Sequence, residues 1–420
     1  METVYSLREG SISRAAGGKR LFAKEGLGRL GLWLGLIFGG LWFAGGRALV
    51  VVVLGIISVI AGHEAGHFFM AKRSKMKVTD YFVGFGPVIW SMVHGETRYG
   101  VRLIPLGGYV KVPGMSSSQV VDEADEMRTY RKASTLAKVG FAAAGPMANI
   151  FMAIVLMWSV LVLVGVPSQS HIGVGGLSSW NASPARISGL RVGDQFISIN
   201  AKPISSAQQI VTLVEHSAGR RLKVVVERNG HFVTLEVTPK AARGTSHLGL
   251  IGVDLVYLKA RVSPGVGVIE SVDRVGGLIG ASALGILHVF SPGEFSNLFH
   301  QVANPASVSP KVASSRPLSM VGVVRVAVQG ANSAGIGAVL AILVSVNVFV
   351  GLFNLIPLAP LDGGYIATAL YEKIRSRKGV AHEANPRWVG VGGILFGLAM
   401  LVLLASTLYL DIVHPIANPF

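Results

Sequence analysis

Four stretches of this chain stay apolar for long enough to cross a bilayer: residues 48–71, 139–166, 335–356 and 388–410. A spanning helix needs roughly 20 such residues. Residues 27–45 make a fifth stretch, shorter and marginal. Between the second and third clear stretches the pattern changes. There, apolar and polar positions recur at strand and helix periods, as in a soluble domain. The pattern predicts a helical membrane protein interrupted by an extramembrane insertion.

Within the insertion, LKVVVERNGHFVTLEV predicts two strands about an Arg228-Asn229-Gly230 turn. Residues 206–216 have helical periodicity. Ser183-Pro184-Ala185 opens a short helix, residues 189–194 make a turn ending in Gly193-Asp194, and residues 196–200 form the next strand. This run resembles a PDZ core over residues 168–240, a fold whose groove takes peptide ends by strand addition. A filter that excludes bulky substrates is the alternative role. Residues 275–290 are apolar but short for a span, and are expected on the outer membrane surface. Residues 304–317 read as a loop. Ahead of the insertion, residues 78–112 hold two strand-like runs, YFVGFGPVIW and RYGVRLIPLGGYVKV.

Composition supports the membrane assignment. Mean hydropathy is +0.55 and only 14% of the 420 residues are charged, against about 25% in an average soluble chain. The net charge of +16 comes from 38 Lys+Arg and 22 Asp+Glu. These cations cluster beside apolar stretches, as bilayer orientation and lipid contact require. No nucleic-acid motif accompanies them. Arg8, Arg14, Lys19, Arg20, Lys24 and Arg29 precede the first stretch; Lys72, Arg73, Lys75 and Lys77 follow residues 48–71. Both clusters are expected on the cytoplasmic side. An even number of crossings must join them. A retained helix over 27–45 with an external turn at Gly45-Gly46-Arg47 satisfies this; a signal peptide cleaved near Ala44 is the alternative. Either way the 48–71 helix runs inward and the insertion lies outside. The absence of cysteine excludes disulfides, thiolate zinc sites and cysteine nucleophiles.

The chemistry begins inside the 48–71 stretch, with His63-Glu64-Ala65-Gly66-His67. Residues four apart share a helix face, so two imidazoles can meet one metal ion, with Glu64 placed to reach a water on it. Ionisable groups at membrane depth cost roughly 2.5–3.5 kcal/mol each on insertion scales. That cost points to use, namely zinc-dependent hydrolysis within the bilayer. A catalytic zinc takes a third protein ligand and keeps one open position. Asn354-Leu355-Ile356-Pro357-Leu358-Ala359-Pro360-Leu361-Asp362-Gly363-Gly364 ends the 335–356 stretch at matched depth. Its prolines break the helix, and such backbone is tolerated at a cavity. Asp362 is the carboxylate placed by the break. Asp411 flanks a stretch on the opposite side, Glu372 and Glu383 lie in a polar basic loop, and His382 is the rival histidine. Asn149 and Asn354 are amides in apolar helices, suited to substrate backbone or to interhelical bonding.

Together, HEAGH and NLIPLAPLDGG resemble the two signatures of the site-2 protease family, intramembrane zinc metalloproteases. Gly107-Gly108-Tyr109-Val110-Lys111 and Ala144-Gly145-Pro146-Met147-Ala148-Asn149 resemble further family elements. YFVGFGP (81–87) and RPLSMVG (316–322) resemble actinobacterial members. The resemblance implies a polytopic α-helical membrane protein with a cytoplasmic, membrane-associated β element and an extracytoplasmic PDZ (α+β) domain. It implies Zn2+ on His63, His67 and Asp362, with Glu64 as general base and Asn149 and Asn354 handling substrate. Transmembrane protein substrates follow, among them anti-sigma factors pre-cleaved by a site-1 protease and remnant signal peptides. The expected organisation is a basic segment (1–47), a first half of the protease core (48–166), the PDZ domain (168–240), a connector (241–334) and a second half of the core (335–420). A transporter would carry inverted repeats, which are not seen. A silent PDZ scaffold would lack a His, Glu or Asp of the set, and all are present.

Overall fold

The computed structural model describes residues 24–115, 119–180, 182–242, 245–304, 316–376, 382, 384 and 386–416. Arg8, Arg14, Lys19, Arg20, Glu383 and most of the 304–317 loop lie outside them. The chain forms two compact units: Met1–Ala153 with Leu278–Phe420, and Ile154–Gly277.

The first unit is mainly helical. Helix α1 (Lys24–Arg73) is broken at Gly46, which takes φ 64 and ψ −159. Only glycine adopts such a conformation without strain, and the break falls at the turn expected from Gly45-Gly46-Arg47. Strands β1 (Asp80–His94) and β2 (Thr97–Lys111) follow, then α2 (Thr135–Ser159), extended by a π-helical turn at Val160–Val164. The long segment between 278 and 420 holds the end of α5 (Pro264–Val289), then α6 (Pro292–Ala303), α7 (Met320–Ala334), α8 (Ile336–Asn354), α9 (Asp362–Arg375) and α10 (Pro386–Val413). Helix α7 packs against α1, α8 and α10.

Among the described residues, five helical stretches are long and apolar enough to cross a membrane: Gly31–Arg73, Thr135–Val164, Pro264–Val289, Ile336–Asn354 and Gly390–Val413. Pro264–Val289 differs from expectation. The sequence suggested a short surface segment at 275–290, but the helix starts eleven residues earlier. Glycines and the charges Glu270, Asp273 and Arg274 hide that first half from a hydropathy reading.

Strands β1 and β2 do not form a plain hairpin. Asp80 pairs with both Arg98 and Lys111, and Val83 with both Val101 and Gly108. The start of β1 is therefore central, flanked by two segments of β2. Gly84 and Gly86 take positive φ where β1 bends away. Arg102 holds the bend, donating to the Gly86 carbonyl (2.6 Å) and the Tyr109 hydroxyl (2.8 Å) while lying over the Phe82 ring.

The second unit is built on a sheet ordered β7-β3-β4-β5-β6: Val253–Ala260, Val166–Leu177, Gln195–Ile199, Leu222–Arg228 and His231–Val237. Leu222, Val224 and Val226 alternate inward and meet Phe196, Ile199 and Ile210 in the core, each large side chain worth about 1.5–3 kcal/mol on burial. The hairpin turn is as the sequence predicts, with Asn229 (φ 51) and Gly230 (φ 80) both left-handed. Helix α3 (Pro184–Ile187) and α4 (Ala207–Glu215, capped by Ser206) also fall where the pattern put them. The sheet runs past residue 240, because β7 pairs with β3. Asp194 fixes the preceding turn: it accepts from Arg191 N and from Arg228 Nε and Nη2 at 2.7–2.8 Å. Burial raises its carboxyl pKa, but the Arg228 hydrogen bonds, the Arg191 amide and the two guanidinium charges together outweigh that, so the net shift is downward.

Candidate active site

Helix α1 carries His63, Glu64 and His67 on its last turns, all buried. Their burial follows from close crossing by α2. A side chain at Gly66 would strike the Ala144 carbonyl, and one at Gly62 would strike Met152. Small residues let such helices approach. Gly145 of α2 faces the imidazoles directly, and a Cβ there would press on both rings.

Asp362 is brought in by the broken segment. After Asn354 the chain turns at residues 355–361 and restarts as a helix at Asp362. Gly363 and Gly364 let the new helix lie on that turn: a Cβ on Gly363 would meet the Leu355 and Ile356 carbonyls, and one on Gly364 the Ala359 amide. Asp362 occupies the first helical turn, where the dipole favours a carboxylate.

The three side chains converge. Asp362 Oδ2 lies 3.2 Å from His63 Nε2 and 3.2 Å from His67 Nε2, and the two Nε2 atoms are 3.2 Å apart. An equilateral triangle of electron-pair donors repels itself unless a cation or proton is shared. A tetrahedral zinc with ligands at about 2.0–2.1 Å has edges of about 3.3 Å, so the donor set fits that ion. His67 is oriented by its other nitrogen, with Nδ1 2.7 Å from the Phe141 carbonyl. That bond fixes the tautomer that leaves Nε2 free to ligate. Pro146, one turn along α2, removes the amide that would bond the residue 142 carbonyl and so loosens the helix beside this acceptor. Glu64 points elsewhere, toward Gly108 of β2, where a Cβ would lie 2.7 Å from Glu64 Cγ.

The other sequence candidates scatter. Asn149 is fully buried at the crossing of α2 and α8, beside Gly351, and neither amide atom has a partner among the described residues. Asn354 is half-buried and donates to Val350 O at 3.0 Å. His382 is exposed and packs on Tyr371, away from the cluster. Glu372 is not simply solvated: it pairs with Lys138 and accepts from Ala384 N. Asp411 meets Arg316 and Ser319. Sequence reasoning placed Gly145 in a motif without giving it a role, and missed the Phe141 carbonyl and Asn347, which is fully buried with no partner for Oδ1 among the described residues.

Comparison with known proteins agrees with this chemistry. Zinc metalloprotease Rip1 of Mycobacterium tuberculosis is 29% identical over 407 residues, covering 88% of this chain and 98% of that protein. Zinc metalloprotease Rip1 of Mycolicibacterium smegmatis is 27% identical over 411 residues, covering 89% and 98%. Among solved structures, the PDZ domain of the SdrC-like protein from Listeria monocytogenes covers 21% of this chain and 90% of that one, at 20% identity and a TM-score of 0.19, a value that assigns no fold. The model of Peptidase family M50 matches residues 51–400. The chain belongs to Peptidase family M50 and is an intramembrane zinc metalloendopeptidase.

Proposed function

We propose that His63, His67 and Asp362 hold the zinc and that Glu64 is the general base for peptide hydrolysis. The observation that carries this is the 3.2 Å triangle of ligand atoms with a buried carboxylate beside it. Zinc, when bound, supplies a Lewis acid for the scissile carbonyl and a water that loses its proton near neutral pH. Glu64, outside the triangle, takes that proton and returns it to the leaving amine. The Phe141 carbonyl keeps His67 in its ligating tautomer. Gly145 leaves the imidazoles the space they occupy.

A helical peptide bond is tied up in its own hydrogen bonds, so the substrate must unwind. An extended segment can then add to the β element, whose Gly108 backbone reaches Glu64. Asn149, whose amide has no partner among the described residues, and Asn354 take substrate backbone.

In this reading the chain is multi-pass, with the zinc near the cytoplasmic side, because Lys72, Arg73, Lys75 and Lys77 close the histidine helix. The second unit is a PDZ domain outside the membrane. Its short helix, its Asp194 turn and its hairpin support that reading. Substrates are transmembrane segments of anti-sigma factors already trimmed by a site-1 protease, or remnant signal peptides. The PDZ domain filters by size. Its deletion should then admit untrimmed substrates without loss of zinc; unchanged discrimination refutes the filter.

The deciding experiment on the chemistry is Glu64→Gln. It should keep about one zinc per chain and lose turnover by at least about 100-fold. Near-normal turnover would remove Glu64 from the base role.

A further inference from the structure

Tyr81, the second residue of β1, touches the catalytic helix at one point that the chemistry above does not use. Its hydroxyl donates to the Ala61 carbonyl at 3.0 Å. Ala61 precedes Glu64 by three residues, about 4.5 Å along the helix axis. The Tyr81 ring is gripped by Phe68 (5.5 Å between centroids, edge-on) and Tyr99 (5.9 Å). The side chain is thus fixed in both ring and hydroxyl.

The same strand carries the consequence to Glu64. Tyr81 pairs with Val110, Phe82 with Tyr109 and Val83 with Gly108. Gly108 is the residue whose missing Cβ makes room for the Glu64 side chain. Two of the contacts between the β element and the catalytic helix therefore bracket the base itself: a hydrogen bond at Ala61 and a backbone approach at Glu64. They are joined by paired strands that cannot slip without breaking their ladder. A second attachment lies at the far tip, where Glu96 accepts from Lys72 and Arg128. It meets the helix at Lys72, eight residues past Glu64 and so about 12 Å further along the axis.

We propose that Tyr81 is a positioning residue for hydrolysis: its tether to the Ala61 carbonyl holds the Gly108 backbone at a fixed height over the Glu64 carboxylate, so that a peptide paired with the β element meets the base in register. This rests on the reading of Glu64 as base and of the β element as the substrate's docking strand. Tyr81 touches no reacting atom. It acts through Gly108 and Glu64.

Tyr81→Phe keeps the ring packing and deletes only the hydroxyl. The test uses the full chain in lipid nanodiscs and a fluorogenic membrane-spanning peptide that the wild type cleaves. Zinc content should be unchanged, kcat should fall about 10-fold and KM should stay within about 2-fold, since a misplacement near 1 Å costs up to about 100-fold. Gly108→Ala should lower kcat similarly, and the double variant should be no worse than the worse single one. Glu96→Gln, which loosens only the tip, should leave kcat unchanged. Unchanged kcat in Tyr81→Phe, a rise in KM alone, or fully multiplicative losses in the double variant overturns the proposal. Normal turnover by Glu64→Gln would overturn it together with the base assignment. An inert Glu64→Gln beside a normal Tyr81→Phe would reject the positioning role alone.

Discussion

Two carboxylates in the first unit have opposite surroundings. Asp411, on the last turn of α10, is almost completely buried and saturated with donors. Arg316 Nη2 reaches Oδ1 at 2.8 Å, and Ser319 N and Oγ both reach Oδ2 at 2.7 Å. Arg316 also donates to the His414 carbonyl, and Arg325 to the Asp411 carbonyl. The start of α7 and the end of α10 are thereby neutralised at one point. Among the described residues, Asp362 has no donor of this kind. Its Oδ2 faces only two imidazole nitrogens, one of them already fixed as an acceptor by the Phe141 carbonyl. A buried carboxylate with a full set of donors holds structure together, whereas a half-buried one facing other electron pairs is waiting for a cation.

The largest effect should come from breaking the second kind. Asp362→Ala should reduce zinc from about one ion per chain to a small fraction, and reduce proteolysis by on the order of 1,000-fold or more, since an incomplete ligand set neither holds nor orients the ion. Metal analysis of purified protein and peptide cleavage measure the two. Full zinc retention would take Asp362 out of the ligand set and erase the contrast with Asp411.

Breaking the first kind should cost stability and not zinc. Asp411→Ala strips Arg316 of its buried partner, which typically costs about 3–5 kcal/mol. Thermal unfolding in detergent should register the loss, while the folded fraction keeps its zinc. A variant with wild-type stability would mean that the guanidinium finds water instead.

How much of this contrast the sequence holds depends on what faces each group. The two histidines at helical spacing are visible because the ligand atoms belong to one local motif. Asp362 is visible because Pro357, Pro360 and the two glycines announce broken backbone. Asp411 looks like an idle flanking residue, since its partners Arg316 and Ser319 lie 95 and 92 residues away. The Phe141 carbonyl has no side-chain signature at all, because every residue carries that acceptor. The hairpin at Asn229-Gly230 is legible from local turn chemistry. The strand Val253–Ala260 is not, because its place depends on a partner some eighty residues earlier.

Asp194 in the second unit extends the comparison to a soluble-type core. Like Asp411, it meets an arginine, here through two hydrogen bonds rather than one, but Arg228 keeps 19% of its side chain exposed. Removing the carboxylate should therefore cost less, about 1.5–3 kcal/mol. Differential scanning of Asp194→Ala should show the second unit melting earlier, with zinc content and Glu64-dependent turnover intact. Loss of zinc in this variant would show that the two units do not keep separate accounts of stability and catalysis.

The smallest effect belongs to a carboxylate at the surface. Glu96, in the turn between β1 and β2, accepts from Arg128 Nη2 at 2.7 Å and Lys72 Nζ at 2.8 Å. The Arg128 hydrogen bond first, and Lys72 after it, hold its pKa down at about 2 against an ordinary 4.5. A depressed acid pKa means that the folded chain prefers the ionised form. The contribution to stability is therefore fully present above about pH 4.5 and is lost as the pH falls toward 2. Side chains of Lys72, Glu96 and Arg128 are 34%, 31% and 43% exposed, so solvent screening limits the contribution to about 1 kcal/mol or less. Glu96→Gln should melt slightly below wild type at pH 7 in low salt. The gap should close as the pH approaches 2, and shrink at pH 7 when salt shortens the Debye length. A gap that widened in acid would mean that the carboxyl is held protonated, and would place Glu96 with the buried groups rather than with the screened ones.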